Sequence, residues 1–131
     1  PICFYEMDRA MIPGMLRAGV RFLAGTDSPD PYALPGFGLH DELVQLVDAG
    51  LTPMQALQSA TRNAAEYLGL QNTLGTVTPG KFADLVLLDA DPLADIHNTR
   101  RIEAVIVSGK YLPHENLQKL LNDAAAVASK N

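Results

Sequence analysis

Residues 20–27, Val20-Arg21-Phe22-Leu23-Ala24-Gly25-Thr26-Asp27, constrain the fold of this chain more than any other stretch. An apolar run that stops at a glycine, a hydroxyl and a carboxylate reads as a buried strand delivering an acid to its C-terminal end, where α/β barrels place their chemistry. Asp27 is therefore the first candidate for a catalytic role. The plain alternative is that an aspartate after a strand forms a turn or caps a helix. Residues 28–39 are rich in proline and glycine and carry Ser28, Asp30 and Tyr32 ahead of His40, the composition of a loop over a pocket.

With 131 residues and 47% hydrophobic content, the chain has material for one ordinary domain and a core. Its net charge of -5, without a basic stripe or aromatics set between cations, argues against a nucleic acid or an anionic membrane as partner. A small-molecule role fits better. The single cysteine, Cys3, excludes an internal disulfide and a cysteine-built zinc cage. No stretch approaches the roughly 18 uninterrupted apolar residues of a membrane span. The chain starts at Pro1 rather than at a methionine, so we expect it to be part of a longer polypeptide.

Residues 8–18 place Ala10, Met11, Met15 and Leu16 at helical spacing, with Gly19 as a left-handed stop and Pro13 expected in the first turn. A second helix is expected over 41–49, with Asp41 and Glu42 at the positive end of its dipole. Thr52-Pro53-Met54-Gln55 then reads as a capping box opening a helix that runs to Leu68. Its predicted buried stripe is Met54, Leu57, Thr61, Ala64, Ala65 and Leu68, and Gly69-Leu70 closes it as a Schellman stop. Arg62 and Asn63 could reach a partner or ligand, but a solvated helix face is the plainer reading. Near Gln71 the period changes from helical to short β pieces, which divides the chain into residues 1–70 and 71–131. Candidate strands cover 74–78, 83–89 and 102–107, the last returning through Ser108-Gly109-Lys110 into Tyr111-Leu112 as a hairpin. Asp89, Asp91 and Asp95 lack the glycine and terminal glutamate of a calcium loop and read as turn and cap residues. Leu117, Leu120, Leu121, Ala124 and Ala128 give an amphipathic terminal helix.

Several pieces then occur in a specific order: Gly25-Thr26-Asp27, Pro35-Gly36-Phe37, Leu39-His40-Asp41-Glu42-Leu43, Ala49-Gly50-Leu51-Thr52-Pro53, Ala60-Thr61, Leu68-Gly69, and Gly75-Thr76-Val77-Thr78-Pro79-Gly80-Lys81-Phe82-Ala83-Asp84-Leu85-Val86. This series closely resembles the C-terminal portion of the metal-dependent amidohydrolases, in particular imidazolonepropionase-like members. The resemblance implies an α/β fold: the C-terminal segment of a (β/α)8 TIM barrel whose eighth strand ends at Asp27, then part of a small β-sandwich and a terminal helix. It implies that Asp27 binds a catalytic divalent metal, commonly zinc, and acts as general base toward the water that attacks a C–N bond. Such a role is chemically sound, because a metal lowers the pKa of bound water toward about 7 and a nearby carboxylate can take the proton. Ser28, Asp30 and Tyr32 fall where the family varies its substrate loop. His40 matches a frequent family histidine, either lining the pocket or serving the helix terminus. His97 and His114 match no metal-ligand position and read as surface residues.

The same resemblance implies a His-x-His and further histidines on other barrel strands. The sequence has no His-x-His, and one carboxylate cannot fill the roughly three or four protein positions around a zinc ion. One or two βα units also cannot close a barrel. The remainder of the barrel is therefore expected from further sequence or another chain, with a small amide as substrate, a homo-oligomer possible, and no activity in these residues alone. The competing reading is a non-catalytic interaction fragment that binds a partner through an exposed strand edge or the terminal helix. A His-x-His roughly 250 to 300 residues before Asp27, the reach of a full barrel, separates the two.

Overall fold

The computed structural model describes residues 4–28 and 36–129. It is a small α/β structure in which helices α1 (Phe4–Arg17), α2 (Gly38–Asp48), α3 (Pro53–Ala60) and α4 (Arg62–Tyr67) precede strand β1 (Leu85–Leu88). A 3₁₀ turn (Ile96–Arg100), β2 (Ile102–Val107), β3 (Lys110–Pro113) and α5 (His114–Ala128) follow.

The first expected helix is present, but Pro13 lies in its interior rather than its first turn. An interior proline gives up one ladder hydrogen bond. Here its ring is used for packing: a Cβ placed on Gly50 would lie 3.7 Å from Pro13 Cγ, so the ring faces the end of α2. Arg9 secures the same contact, its guanidinium donating to the Asp48 carbonyl at 2.7 Å, a cation on the negative end of a helix. The stop is a Schellman motif, with Val20 N–H donating to Met15 O and Gly19 N–H to Leu16 O at a Gly19 φ of 78°. Gly50 and Gly69 end α2 and α4 in the same way.

The capping box at the start of α3 forms as read. Gln55 N–H donates to Thr52 Oγ1 at 3.2 Å, and Thr52 N–H donates to Gln55 Oε1 at 2.8 Å. Thr52→Ala is expected to lower the unfolding free energy of the full-length protein by about 1 kcal/mol, measured by denaturant titration. The single helix expected to reach Leu68 is in fact two. Thr61 breaks it, with φ -129° and ψ -89°, while its hydroxyl donates back to the Leu57 carbonyl at 2.7 Å and competes with the ladder. The break resets the helical phase, so the buried residues are Ala56, Ser59 and Ala65, and Met54, Thr61 and Leu68 of the expected stripe are exposed.

The strand expected over 74–78 is absent; residues 74–76 bend and 77–78 are irregular. The Lys81 ammonium ties this stretch to the turn before it, donating to Gln71 O at 2.6 Å, Leu74 O at 3.3 Å and Thr76 Oγ1 at 2.6 Å, so that the Leu74 carbonyl bonds to a side chain rather than to a strand. The remaining strands form one antiparallel sheet in the order β1-β2-β3. The β2–β3 hairpin turns at Ser108 and Gly109, both at positive φ, which suits the right-handed twist of its strands. A core cluster joins Leu43, Ala56 and Ile96, with Val44, Leu46, Val47, Leu57 and Ala60 packed around it.

Helix α5 lies against β2 and β3, yet none of its residues is buried. Leu120, Leu121 and Val127, like Val86 and Leu87 of β1, stand largely in solvent. The chain exposes 9440 Å², against about 6,700 Å² for a self-contained folded monomer of this mass. None of its helices, among the described residues, is long and apolar enough to cross a membrane.

Candidate active site

Residues 20–27 pair with no strand among the described residues, so the strand expected there has no ladder. A ladder needs neighbouring strands, and all three described strands come later and bond to one another. The run nevertheless keeps the period of a strand. Phe22, Ala24 and Thr26 are half-buried, whereas Arg21, Leu23, Gly25 and Asp27 are exposed, so one face is covered and the other is bare.

Polar groups from three helices bond to the backbone of the run. Asn63 Nδ2 of α4 donates to Phe22 O at 3.0 Å. Ala24 N–H donates to the carbonyl of Ser59 in α3 at 3.2 Å. Gly25 N–H donates to Glu42 Oε1 of α2 at 2.6 Å. At the near end, Arg21 pairs with Glu66, which also takes Arg62 Nε at 3.5 Å. The far end is Asp27, exposed and at φ 50°, a left-handed conformation that few non-glycine residues adopt and aspartate tolerates better than most. A carboxylate is thus presented on the bare face at the end of a run fixed from behind.

Two of these anchors are not evident in the sequence. Asn63, which reads more readily as part of a solvated face than as a group reaching a partner, is half-buried, and its Oδ1 has no partner among the described residues. Glu42 reads as a dipole-matching acid within the family-like piece 39–43, not as an anchor. Its neighbour Leu43 is a core residue, which is the available signal that Glu42 borders a packed face rather than open solvent.

Ser28, next to Asp27, is half-buried and engaged in an interaction of its own. Asp30 and Tyr32 lie outside the described residues. His40 is brought to a different place. It lies two residues from Glu42 on α2, about 200° around the helix, and its Nδ1 is 3.1 Å from Thr99 Oγ1. The Thr99 hydroxyl donates its proton to Ile96 O at 2.9 Å, so His40 Nδ1–H is the donor and Nε2 carries the lone pair. His40 lines an open groove of about 500 Å³ with Phe37, Arg100, Ile102, His114 and Leu121. Arg100, across the groove, pairs with Asp41.

Burial, and then the Arg100 charge, hold the His40 pKa below the ordinary histidine value, with Asp41 acting in the opposite direction. The folded state therefore binds this proton less readily than the unfolded state does, and stability is lost as pH falls through about 6.5 toward the depressed value. The stability advantage of the full-length protein over His40→Asn is expected to shrink when thermal midpoints are compared at decreasing pH from 8 to 5.5.

The acidic turn is structural, as its spacing suggested. Asp91 Oδ1 accepts from Leu93 N–H at 2.8 Å, Asp95 Oδ1 caps the 3₁₀ turn through His97 N–H at 2.9 Å, and Asp89 pairs with Arg101 at 2.6 Å. Hydrogen bonds from the His97 backbone and ring hold the Asp95 carboxyl below the usual range. His97 and His114 are exposed, and His114 Nδ1 donates to Ile102 O at 2.9 Å.

No three of the His, Cys, Asp and Glu side chains gather to hold a metal among the described residues. A catalytic zinc takes about three protein ligands, so these residues do not form a metal centre by themselves. Asp27 is the one carboxylate here that the bare face presents at the end of the pinned run.

Adenine deaminase 2 of Jannaschia sp. (strain CCS1) is 36% identical over 108 residues, covering 78% of this chain and 17% of that protein. A molinate hydrolase structure superposes with a TM-score of 0.70 at 32% identity, covering 77% of this chain and 25% of that one. A Xaa-Pro dipeptidase structure with bound methionine gives a TM-score of 0.70 at 29% identity, covering 80% and 25%. The chain thus spans about a sixth of the length of the curated relatives it matches. Residues 6–112, which contain the pinned run, Asp27 and the first three helices after it, match the amidohydrolase family, and the chain belongs to that family.

Proposed function

We propose that this chain is the C-terminal part of a metal-dependent amidohydrolase that hydrolyses a C–N bond in a cyclic or peptide-like amide, with Asp27 as the proton-transferring carboxylate. Residues 1–70 are the end of its barrel, with residues 20–27 as the last strand. Residues 71–131 are the C-terminal strands of a small β-sandwich and a terminal helix. The observation that carries this reading is the run itself: its period-two exposure, its three anchors and the carboxylate at its far end. The bare face with Leu23 is the face a neighbouring barrel wall would cover, and the chain's surplus of exposed surface supports the same view.

Asp27 takes a proton from the attacking water at a carboxylate oxygen and returns it to the leaving nitrogen, so the carboxylate base is regenerated when the C–N bond breaks. A divalent metal, zinc in our reading, supplies Lewis-acid activation when bound. Asp27 is one ligand to it, and the others come from polypeptide beyond these residues. Ser28, Asp30 and Tyr32 are proposed to contact substrate from the loop after the run. His40, on the far side of α2, is proposed to act on that loop through the start of the helix rather than by touching the reacting atoms.

Metal analysis of the full-length protein, with turnover assayed on adenine, a Xaa-Pro dipeptide, a lactam and a phenylurea, tests the proposal. Near-stoichiometric divalent metal and hydrolysis of one of these amides or amidines are expected, whereas the 131-residue chain alone retains no metal and turns over none. A metal-free full-length protein inert to the whole panel counts against it.

A further inference from the structure

We infer that Glu42 is a positioning residue for Asp27, a role that rests on the reading of Asp27 above. Of the three bonds that α2, α3 and α4 make to the backbone of the run, the one nearest the acid holds its far end, in addition to the strand pairing that a complete barrel would supply. That bond runs from Gly25 N–H to Glu42 Oε1 at 2.6 Å. It is a charge-assisted hydrogen bond, of the stronger kind, and only Thr26 separates Gly25 from Asp27. The other two anchors act at Phe22 and Ala24, further from the acid.

Glu42 is half-buried on α2, next to the core residue Leu43, and lines a small groove with Asp8, Arg9 and Ile12 of α1. Its second oxygen, Oε2, is shut off from water and has no hydrogen-bond partner among the described residues. An acid side chain is a poor choice for a position where one oxygen goes unsatisfied, unless the other does something that an apolar residue cannot. Holding the Gly25 amide is that task. Through it, α2 sets where the chain turns into the left-handed conformation at Asp27.

The test compares Glu42→Met, Glu42→Ala, Glu42→Gln and Asp27→Asn in the full-length protein. One readout is turnover of the amide that the panel above identifies, and the other is hydrogen exchange of the peptide spanning residues 20–27. Glu42→Met keeps the length of the side chain but offers no acceptor, and Glu42→Ala removes it altogether. Both are expected to lower kcat by about 10- to 100-fold, the effect of a reacting group displaced by about an ångström, with KM little changed. Exchange at the Gly25 amide is expected to accelerate in both. Glu42→Gln, whose amide oxygen still accepts from Gly25, is expected to restore slow exchange and most of kcat. The inference is overturned if Glu42→Met leaves kcat and Gly25 exchange at wild-type values, or if Glu42→Gln loses as much as Glu42→Met. Asp27→Asn separates the two failures. Full turnover in that variant defeats the reading of Asp27 itself, whereas an inactive Asp27→Asn beside a fully active Glu42→Met defeats the positioning role alone.

Discussion

Asp27→Ala is expected to lower kcat of the full-length enzyme by at least about 10²-fold, toward the 10⁴-fold that removing a general acid–base group can cost. Asp27 is exposed on the bare face, and among the described residues it caps no helix and makes no ion pair. Its removal should therefore leave folding nearly intact, and the strained left-handed backbone is as open to alanine's cost as to any non-glycine residue, about 1–2 kcal/mol at most. Asp89→Ala is the matched control. Asp89 is exposed and pairs with Arg101 on the surface, an interaction worth about 0–1 kcal/mol, so turnover is expected to stay within about twofold. Steady-state kinetics and metal content of both variants check the contrast, and metal loss in Asp27→Ala would show that the carboxylate also serves as a ligand.

The largest stability effect is expected at Gly75, a position remote from that chemistry. Gly75 docks the 71–81 loop into the break between α3 and α4. A Cβ there would lie 2.5 Å from Ala65 Cβ, 3.2 Å from Thr61 O and 3.3 Å from Arg62 Cα, and the residue has φ 89°. Two of those three atoms are backbone, and Ala65 is 1% exposed, so little can give way. Gly75→Ala is expected to cost about 2–5 kcal/mol, the sum of a left-handed alanine at about 1–2 kcal/mol and overpacking at about 1–3 kcal/mol. Gly80→Ala isolates the first part. Gly80 has φ 91° but nothing within 4 Å of its would-be Cβ, so only the conformational cost of about 1–2 kcal/mol applies. Denaturant unfolding of the two variants should differ by the packing contribution, and equal losses would refute the docking described for Gly75.

Much of the local structure was legible because short-range chemistry decides it. The capping box at Thr52, the glycine stops at 19 and 69, the Ser108-Gly109 hairpin and the capping aspartates at 91 and 95 each form from residues within a few positions of one another. The misreadings share a different cause. Pro13 lies inside α1 with its ring against the end of α2 at Gly50, 37 positions away. The 52–68 helix breaks at Thr61 where the Gly75 loop docks, and the Leu74 carbonyl bonds to the Lys81 ammonium rather than to a strand. Each depends on a partner that periodicity along the chain does not report.

The candidate site divides along the same line. Asp27 was legible from its place at the end of an apolar run and from the ordered family pattern around it. Glu42 and Asn63 were not, because their partners are backbone atoms of residues 22 and 25, and a backbone group leaves no mark in the sequence. His40 shows the converse. Its type drew attention, but its position on α2 turns it toward Thr99 and the groove with Arg100.

Chemical rescue tests the central claim most directly. Turnover of full-length Asp27→Ala is measured with and without added formate, a free carboxylate small enough to enter the space the side chain vacates. The account predicts that turnover is lost without formate and partly restored in proportion to its concentration, with Asp89→Ala indifferent to it. Wild-type turnover in Asp27→Ala without formate would contradict it.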